Sequence, residues 1–268
     1  MKKMMLAALS ILLIFNACDD GWGIFDGAKR VKGTGEIEKF TRDVSGFKGI
    51  SNGISADVFV KQAEAYKVVI EGQKNIVDLI ETEIDDEVLT LRFKDGAWNV
   101  QFKKLVVYIE TPSVSSLSVS GAGDLQTENK LTTTDDFKVR VSGSGNIKIG
   151  EGLTAKTLDI EIGGSGNANI GASTLTSVLA EIAGSGNLSI EGTTENAEYR
   201  VSGSGEIEAK SLTAKNVEAR ASGSGNITCS ASDSLDAQSS GSSDIVYSGT
   251  PPVLRTKANG SGTIRKAN

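Results

Sequence analysis

The chain has 268 residues, 34 acidic against 28 basic side chains (net charge −6), 31 glycines and no histidine. The basic residues are scattered, which excludes a nucleic-acid binder held by a basic surface, and no imidazole is present to activate a nucleophile. It has two cysteines, Cys18 and Cys229.

Residues 1–17 read as an export signal. Lys2 and Lys3 precede an apolar run from Met4 to Phe15 broken only by Ser10. That run is too short to span a bilayer but suits a signal-peptide core. It ends in Phe15-Asn16-Ala17-Cys18, which resembles the lipobox of bacterial lipoproteins, with Phe15 where leucine is common. The resemblance implies lipidation at Cys18 and attachment to a membrane through the N-terminal lipid. With Cys18 lipidated, Cys229 has no partner and no disulfide is expected. The alternative is a secreted chain cleaved nearby with a free Cys18. Residues 18–33 form a tether in which Trp22, Ile24 and Phe25 either touch the membrane surface or belong to a plain leader.

From Thr34 the chain becomes strand-like. Ile54, Ala56, Val58 and Val60 alternate with other residues, as do Val68 and Ile70; Val88–Phe93 and Leu105–Ile109 are further strands. The stretch Asn75–Glu83 fits either a short helical turn or an irregular strand. Asp95-Gly96 marks a turn, with Trp98 beyond it as the best exposed aromatic or, alternatively, a residue tucked against a cap. Residues 34–119 are read as irregular first coils that also cap the domain, and residues 120–268 as its regular part.

That regular part carries one phrase in eight degenerate copies, beginning at Ser120, Ser142, Gly163, Ala183, Ser202, Ser222, Ser240 and Asn259. A repeat of about 20 residues marks a solenoid whose units bury their apolar faces by stacking. Aligned on the phrase, Ile147, Ala168, Leu188, Ile207, Ile227, Ile245 and Ile264 form one inward rank. Val141, Ile162, Ile182, Val201 and Ala221 form a second, and polar residues mostly alternate with both. Two helices do not fit so short and glycine-rich a unit. Two to three short strands per turn do, and a β-propeller, which needs about twice the length per blade, is the weaker alternative. The fold class is therefore all-β, a single-chain parallel β-helix. The glycines are expected at corners that require positive φ.

The corner position before the inward aliphatic holds Asp124, Asn146, Asn167, Asn187, Glu206, Asn226, Asp244 and Thr263. These residues either stack structurally or form a polar strip for a cation or glycan; their carboxylates are too sparse for a calcium-binding repeat. The Gly-Ser-Gly phrases lack the Lys-Ser/Thr and the helix of a phosphate loop. Cys229 falls in an inward rank, as do Tyr199 and Tyr247. Lys138, Arg140, Lys148, Asp159, Glu161, Glu181, Arg200, Glu218 and Arg220 point outward as a solvated face. Lys266 replaces an inward aliphatic in the last copy, where Lys257, Arg265 and Lys266 can blunt the terminal edge.

The stretches Phe47-Lys48-Gly49-Ile50 and Gly53-Ile54-Ser55-Ala56-Asp57-Val58-Phe59-Val60-Lys61-Gln62, then Tyr66–Gly72 and Leu89–Phe93, carry a family likeness together with the later repeats. The chain resembles the bacterial family called putative auto-transporter adhesin, head GIN domain, common among Bacteroidota lipoproteins, with Ser55 where the name-giving asparagine would stand. The resemblance implies a right-handed β-helix and supplies no catalytic residue. In lipoproteins resembling those of the Bacteroidota, Asp19 and Asp20 after the lipobox imply export to the outer membrane, facing either the periplasm or the exterior. In enterobacterial types they imply inner-membrane retention; the family likeness favours the outer membrane.

Three functions follow as expectations. The first is a non-catalytic binding module for a glycan, a matrix protein or an envelope component. The second is a structural or assembly component of the envelope. The third, a polysaccharide-active enzyme, needs paired carboxylates, and the visible pairs Asp85-Asp86 and Asp135-Asp136 fall in expected turns. No metal, cofactor or nucleic-acid partner is expected; oligomeric state is left open.

Overall fold

The computed structural model describes residues 30–97 and 99–267. The signal, Cys18 and the tether up to residue 29 lie outside these residues, as does Trp98, whereas the last tether residues join the cap, where Lys32 bridges to Gln101. The first strands are β1 (Ile37–Arg42), β2 (Gly49–Asn52), β3 (Asp57–Gln62) and β4 (Lys67–Gln73). After them come the one-turn helix α1 (Lys74–Val77), then β5 (Ile80–Asp85), β6 (Val88–Phe93) and β7 (Leu105–Thr111). The stretch with two readings at the sequence level thus holds both a helical turn and a strand.

From Ser116 the chain winds regularly. Its strands are β8 (Ser116–Val119), β9 (Leu125–Thr127), β10 (Leu131–Thr132), β11 (Phe137–Val141), β12 (Ile147–Ile149) and β13 (Leu153–Thr154). Next come β14 (Thr157–Ile162), β15 (Ala168–Thr174), β16 (Ser177–Ile182) and β17 (Asn187–Val201). The last are β18 (Glu206–Ala221), β19 (Asn226–Gly241), β20 (Ile245–Ser248), β21 (Val253–Gly260) and β22 (Ile264–Lys266).

The architecture is an all-β, mostly parallel solenoid with coils of about 20 residues. One sheet stacks β2, β8, β11, β14, β16 and the later halves of β17, β18 and β19, ending in β21. A second stacks β7, β3, β9, β12, β15 and the early halves of the same long strands, ending in β20 and β22. Equivalent residues sit in register, such as Ile147 on Leu125 and Ala168 on Ile147. The inward ranks close into one continuous core. Tyr199 and Cys229 lie fully buried in it.

The glycine corners are built for a different reason than the expected one. Gly121, Gly143, Gly164, Gly184 and Gly203 do not have positive φ, whereas Gly223, Gly241 and Gly260 do. What recurs is crowding between coils. A Cβ at Gly121 would lie 2.9 Å from the Ile54 carbonyl oxygen, and one at Gly164 would press on the Gly143 carbonyl. The backbones approach too closely for any side chain, which sets the residue type independently of φ.

The N-terminal third contributes one coil to the stack, residues 49–62, and then turns back over it. β6 lies parallel on β2, and β5 returns antiparallel on β6 through Asp86-Glu87, both at positive φ in a two-residue hairpin turn. On the other sheet β7 lies parallel on β3, β4 antiparallel on β7, and β1 antiparallel on β4. α1 buries Ile76 and Val77 in the open end, and Arg42 donates to the Val77 carbonyl at 2.8 Å. Buried Gln73 ties the cap together: its Nε2 donates to Gly35 O and its Oε1 accepts from Lys103 N.

Candidate functional site

The corner residues form a hydrogen-bonded ladder along one exposed edge of the solenoid. Asp124 Oδ1 accepts from the Asn146 backbone N–H (2.9 Å) and from its side-chain amide (2.8 Å). Asn146 serves Asn167 in the same way, and Asn167 serves Asn187. Asn187 then accepts only the Glu206 N–H, and at the longer Glu206 the ladder is interrupted: Asn226 N donates to Gly205 O instead. It resumes from Asn226 to Asp244, whose carboxylate takes both the backbone N–H and the hydroxyl of Thr263. Those two bonds hold the Asp244 carboxyl below the usual Asp range. In these rungs one oxygen per side chain is engaged with the next coil.

The outward charges pair along or across neighbouring strands. Arg140 meets Glu161 at 2.8 Å, while Glu198 meets Arg200 and Arg220, and Arg220 also meets Glu218. These are exposed pairs worth little individually. Asp85 and Asp86 sit at the β5–β6 turn and are exposed; Asp135 and Asp136 lie just ahead of β11, also exposed. Burial pushes the Cys229 thiol up to about 12. Among the described residues no group of three or more Cys, Asp or Glu side chains is arranged to hold a metal ion, and no helix is long and apolar enough to cross a membrane.

A different kind of surface lies on the outer face of the second sheet, where the cap joins the first coil. Phe59 and Tyr108 stand directly opposite one another on β3 and β7. Their rings stack with centroids 5.7 Å apart and planes inclined by 18°. Val69 on β4 faces Tyr108 from the other side and Thr41 on β1 faces Val69, so an apolar row crosses four strands. A second row of charged residues, Lys67, Glu110 and Lys61, runs alongside, with Lys67 and Glu110 3.4 Å apart. On the other side Glu71 accepts from the Tyr108 hydroxyl at 3.2 Å and pairs with Lys104. The Lys104 hydrogen bond holds the Glu71 carboxyl below its usual range, and burial followed by the Glu71 charge raises the Tyr108 hydroxyl.

Lys39 Nζ lies 5.5 Å from the centre of the Tyr108 ring. Lys39, Lys67, Glu110 and Glu128 line an open concavity of about 390 Å³ floored by the two half-buried rings. A second concavity, of about 540 Å³, lies on the first sheet, where Leu179, Val253 and Arg255 stand beside Asn196, Asn216 and Ser234. The two asparagines and the serine bond one another across the coils.

Sequence reasoning missed the aromatic surface, although a signal was present. Phe59 interrupts Val58-x-Val60 and Tyr108 interrupts Val107-x-Ile109 at the outward position, where the later coils carry mostly polar residues, Leu179 and Val246 excepted.

Residues 46–251 match the family model described as "Putative auto-transporter adhesin, head GIN domain". The fold is similar to a crystal structure of a putative lipid binding protein from Parabacteroides distasonis (26% identity, TM-score 0.84, covering 90% of this chain and 100% of that one). It is also similar to a putative adhesin from Parabacteroides merdae (25%, TM-score 0.84, 90% and 100%). A putative adhesin from Bacteroides fragilis aligns at 30% identity with TM-score 0.68, covering 88% of this chain and 100% of that one. A search of the curated proteins finds no match.

Proposed function

The chain belongs to the head GIN domain family of putative auto-transporter adhesins, and from that premise we propose that it is a non-catalytic adhesion module of the bacterial envelope. It is anchored to the outer membrane by lipid at Cys18 and binds a glycan on the Phe59–Tyr108 surface. The observation that carries this reading is the stacked aromatic pair on the outer face, bordered by Lys and Glu side chains. Sugar rings offer C–H faces to aromatic rings and hydroxyls to charged donors and acceptors around them. An open, shallow floor suits a segment of a chain-like glycan. The rigid stack behind it fixes the rings in place.

The test is a glycan-array screen of the full chain beside Phe59→Ala and Tyr108→Ala. Each substitution should weaken binding of any recognised glycan by about tenfold, the equivalent of roughly 1.4 kcal/mol per stacking contact. Equal binding by all three forms would remove the aromatic surface from the mechanism. One relative is named a lipid binding protein, so phospholipid vesicles belong in the same screen; vesicle binding lost in both variants would reassign the surface to lipid. External protease on intact cells, beside a Cys18→Ala form, tests the address: protection of the native chain until lysis would place it inside the envelope.

A further inference from the structure

The two ends of the first sheet are free edges. At the C-terminal end β21 pairs with β19 on one side, and no described strand lies on the other. At the N-terminal end β5 pairs with β6 and no described strand lies beyond it, Arg42 reaching only the Ile80 carbonyl at its start. Among the described residues the exposed large apolar side chains are Ile37, Ile84, Val253 and Leu254, all on strands at the two ends of the stack. A β-edge with unpaired N–H and C=O groups and apolar residues beside it is a template for another strand.

We propose that these two edges are complementary and that copies of this chain join head to tail, β21 of one pairing antiparallel with β5 of the next. Direction fits: β21 runs parallel to β2 through the whole stack, and β5 runs against β6 and hence against β2. The side chains fit in one register. With Leu254 opposite Ile84 of the second copy, Arg255 meets Glu83, Thr256 meets Thr82 and Lys257 meets Glu81. The odd-numbered residues on both strands lie on the outer face and the even-numbered ones on the core face. Leu254 therefore meets Ile84 at the core side and two bases meet two acids outside, while Val253 falls opposite Asp85. The outer face of β5 stays acidic, because Glu81 and Glu83 share the single Arg92 and Asp85 stands beside them.

The backbone fits the same register. Ser261 N donates to Gly241 O, and alternation back along β21 aims Lys257 and Arg255 at β19 and Thr256 and Leu254 at the open side. Lys94 N donates to Leu79 O, so on β5 the odd residues aim at β6 while Thr82 and Ile84 aim outward. The groups facing out on one edge meet those facing out on the other.

Tail-to-tail pairing is disfavoured by the same residues: two β21 strands centred on Thr256 would set Arg255 against Lys257. The second sheet runs one strand beyond the first at both ends, β1 beyond β4 at the cap and β22 beyond β20 at the other, so coaxial copies would set β1 and β4 of one against β20 and β22 of the other. Joined copies therefore meet at an angle, and a head-to-tail contact that does not close extends into a chain of copies.

Disulfide trapping in cells tests this with the full-length chain. One differently tagged copy carries Glu83→Cys and the other Arg255→Cys, an exposed non-hydrogen-bonded pair whose Cβ atoms would lie close. The expected result is a mixed disulfide between the two tags, reversed by reductant. Neither variant expressed alone should give a dimer. A dimer from Arg255→Cys alone, or no mixed dimer, overturns the proposal. Charge reversal gives an independent readout: Arg255→Glu with Lys257→Glu, or Glu81→Lys with Glu83→Lys, should each abolish self-association in sedimentation of the detergent-solubilised chain. Combining all four reversals should restore it, and failure of that rescue with folded protein also overturns the proposal.

Discussion

The coils from residue 116 onward and the cap of residues 31–111 close the same core by opposite means. A coil relies on repetition: each inward aliphatic sits on its counterpart one turn away, each corner glycine lies under the next, and most corner amides bond along one line. The cap relies on single contacts that occur once. Phe47 is fully buried against Tyr66, Gln73 spans three segments, and Arg42 holds the end of α1. Repetition leaves little freedom for a unique surface, since whatever one coil shows its neighbours show too. The irregular part can present two aromatic rings side by side. The candidate site falls where the repeat is broken.

The comparison is open to attack in four places. Phe47→Ala should cost the most, about 3–5 kcal/mol in urea unfolding, because it leaves a large hole where no neighbouring coil can close in. A loss below 1 kcal/mol, against the range for a buried aromatic, would mean that the cap is not held by this contact. Next comes Gly164→Ala, expected to destabilise by about 1–3 kcal/mol through overpacking against the Gly143 carbonyl. Its neighbour Gly163, where a Cβ would meet nothing within 4 Å, should tolerate alanine. Equal effects at the two glycines would refute close approach as the reason for the corner.

Asn167→Ala removes the acceptor for two bonds from Asn187 on an exposed edge and should cost about 1 kcal/mol. The smallest effect concerns pH at the last coil. Asp244 has a lowered carboxyl pKa in the folded chain, so its contribution is complete above the unfolded value and is lost as pH falls through the lowered folded value. The protection factor of the Thr263 amide should fall on acidification while protection factors in the β14–β16 coils stay unchanged. In Asp244→Asn that acid-dependent step should vanish.

Much of this was legible in the chain itself. The inward ranks through Ile147, Ile170 and Leu188 define period-two strands, and the return of one phrase about every 20 residues requires stacking. Cys229 and Tyr199 could be placed in the core from rank alone. The cap was less legible because its pairings are long-range and partly antiparallel: nothing local in Lys67–Gln73 says that it will lie between β7 and β1. The glycine phrase was legible as a corner but not in its cause, since inter-coil crowding depends on a residue about 20 positions away. Phe59 and Tyr108 are separated by three strands and a turn of helix, so their stacking follows only from the β3–β7 pairing.

The sequence by itself determined the repeat, the inward ranks, the family likeness and the polar corner column. Each rests on side-chain chemistry recurring at fixed spacing, which needs no knowledge of the partner strand. The tertiary structure alone decided how residues 67–111 turn back over the first coil, which two aromatics share a face, and which strands are left as edges. Those depend on strand order and direction, and backbone hydrogen bonding is the same for every residue except proline.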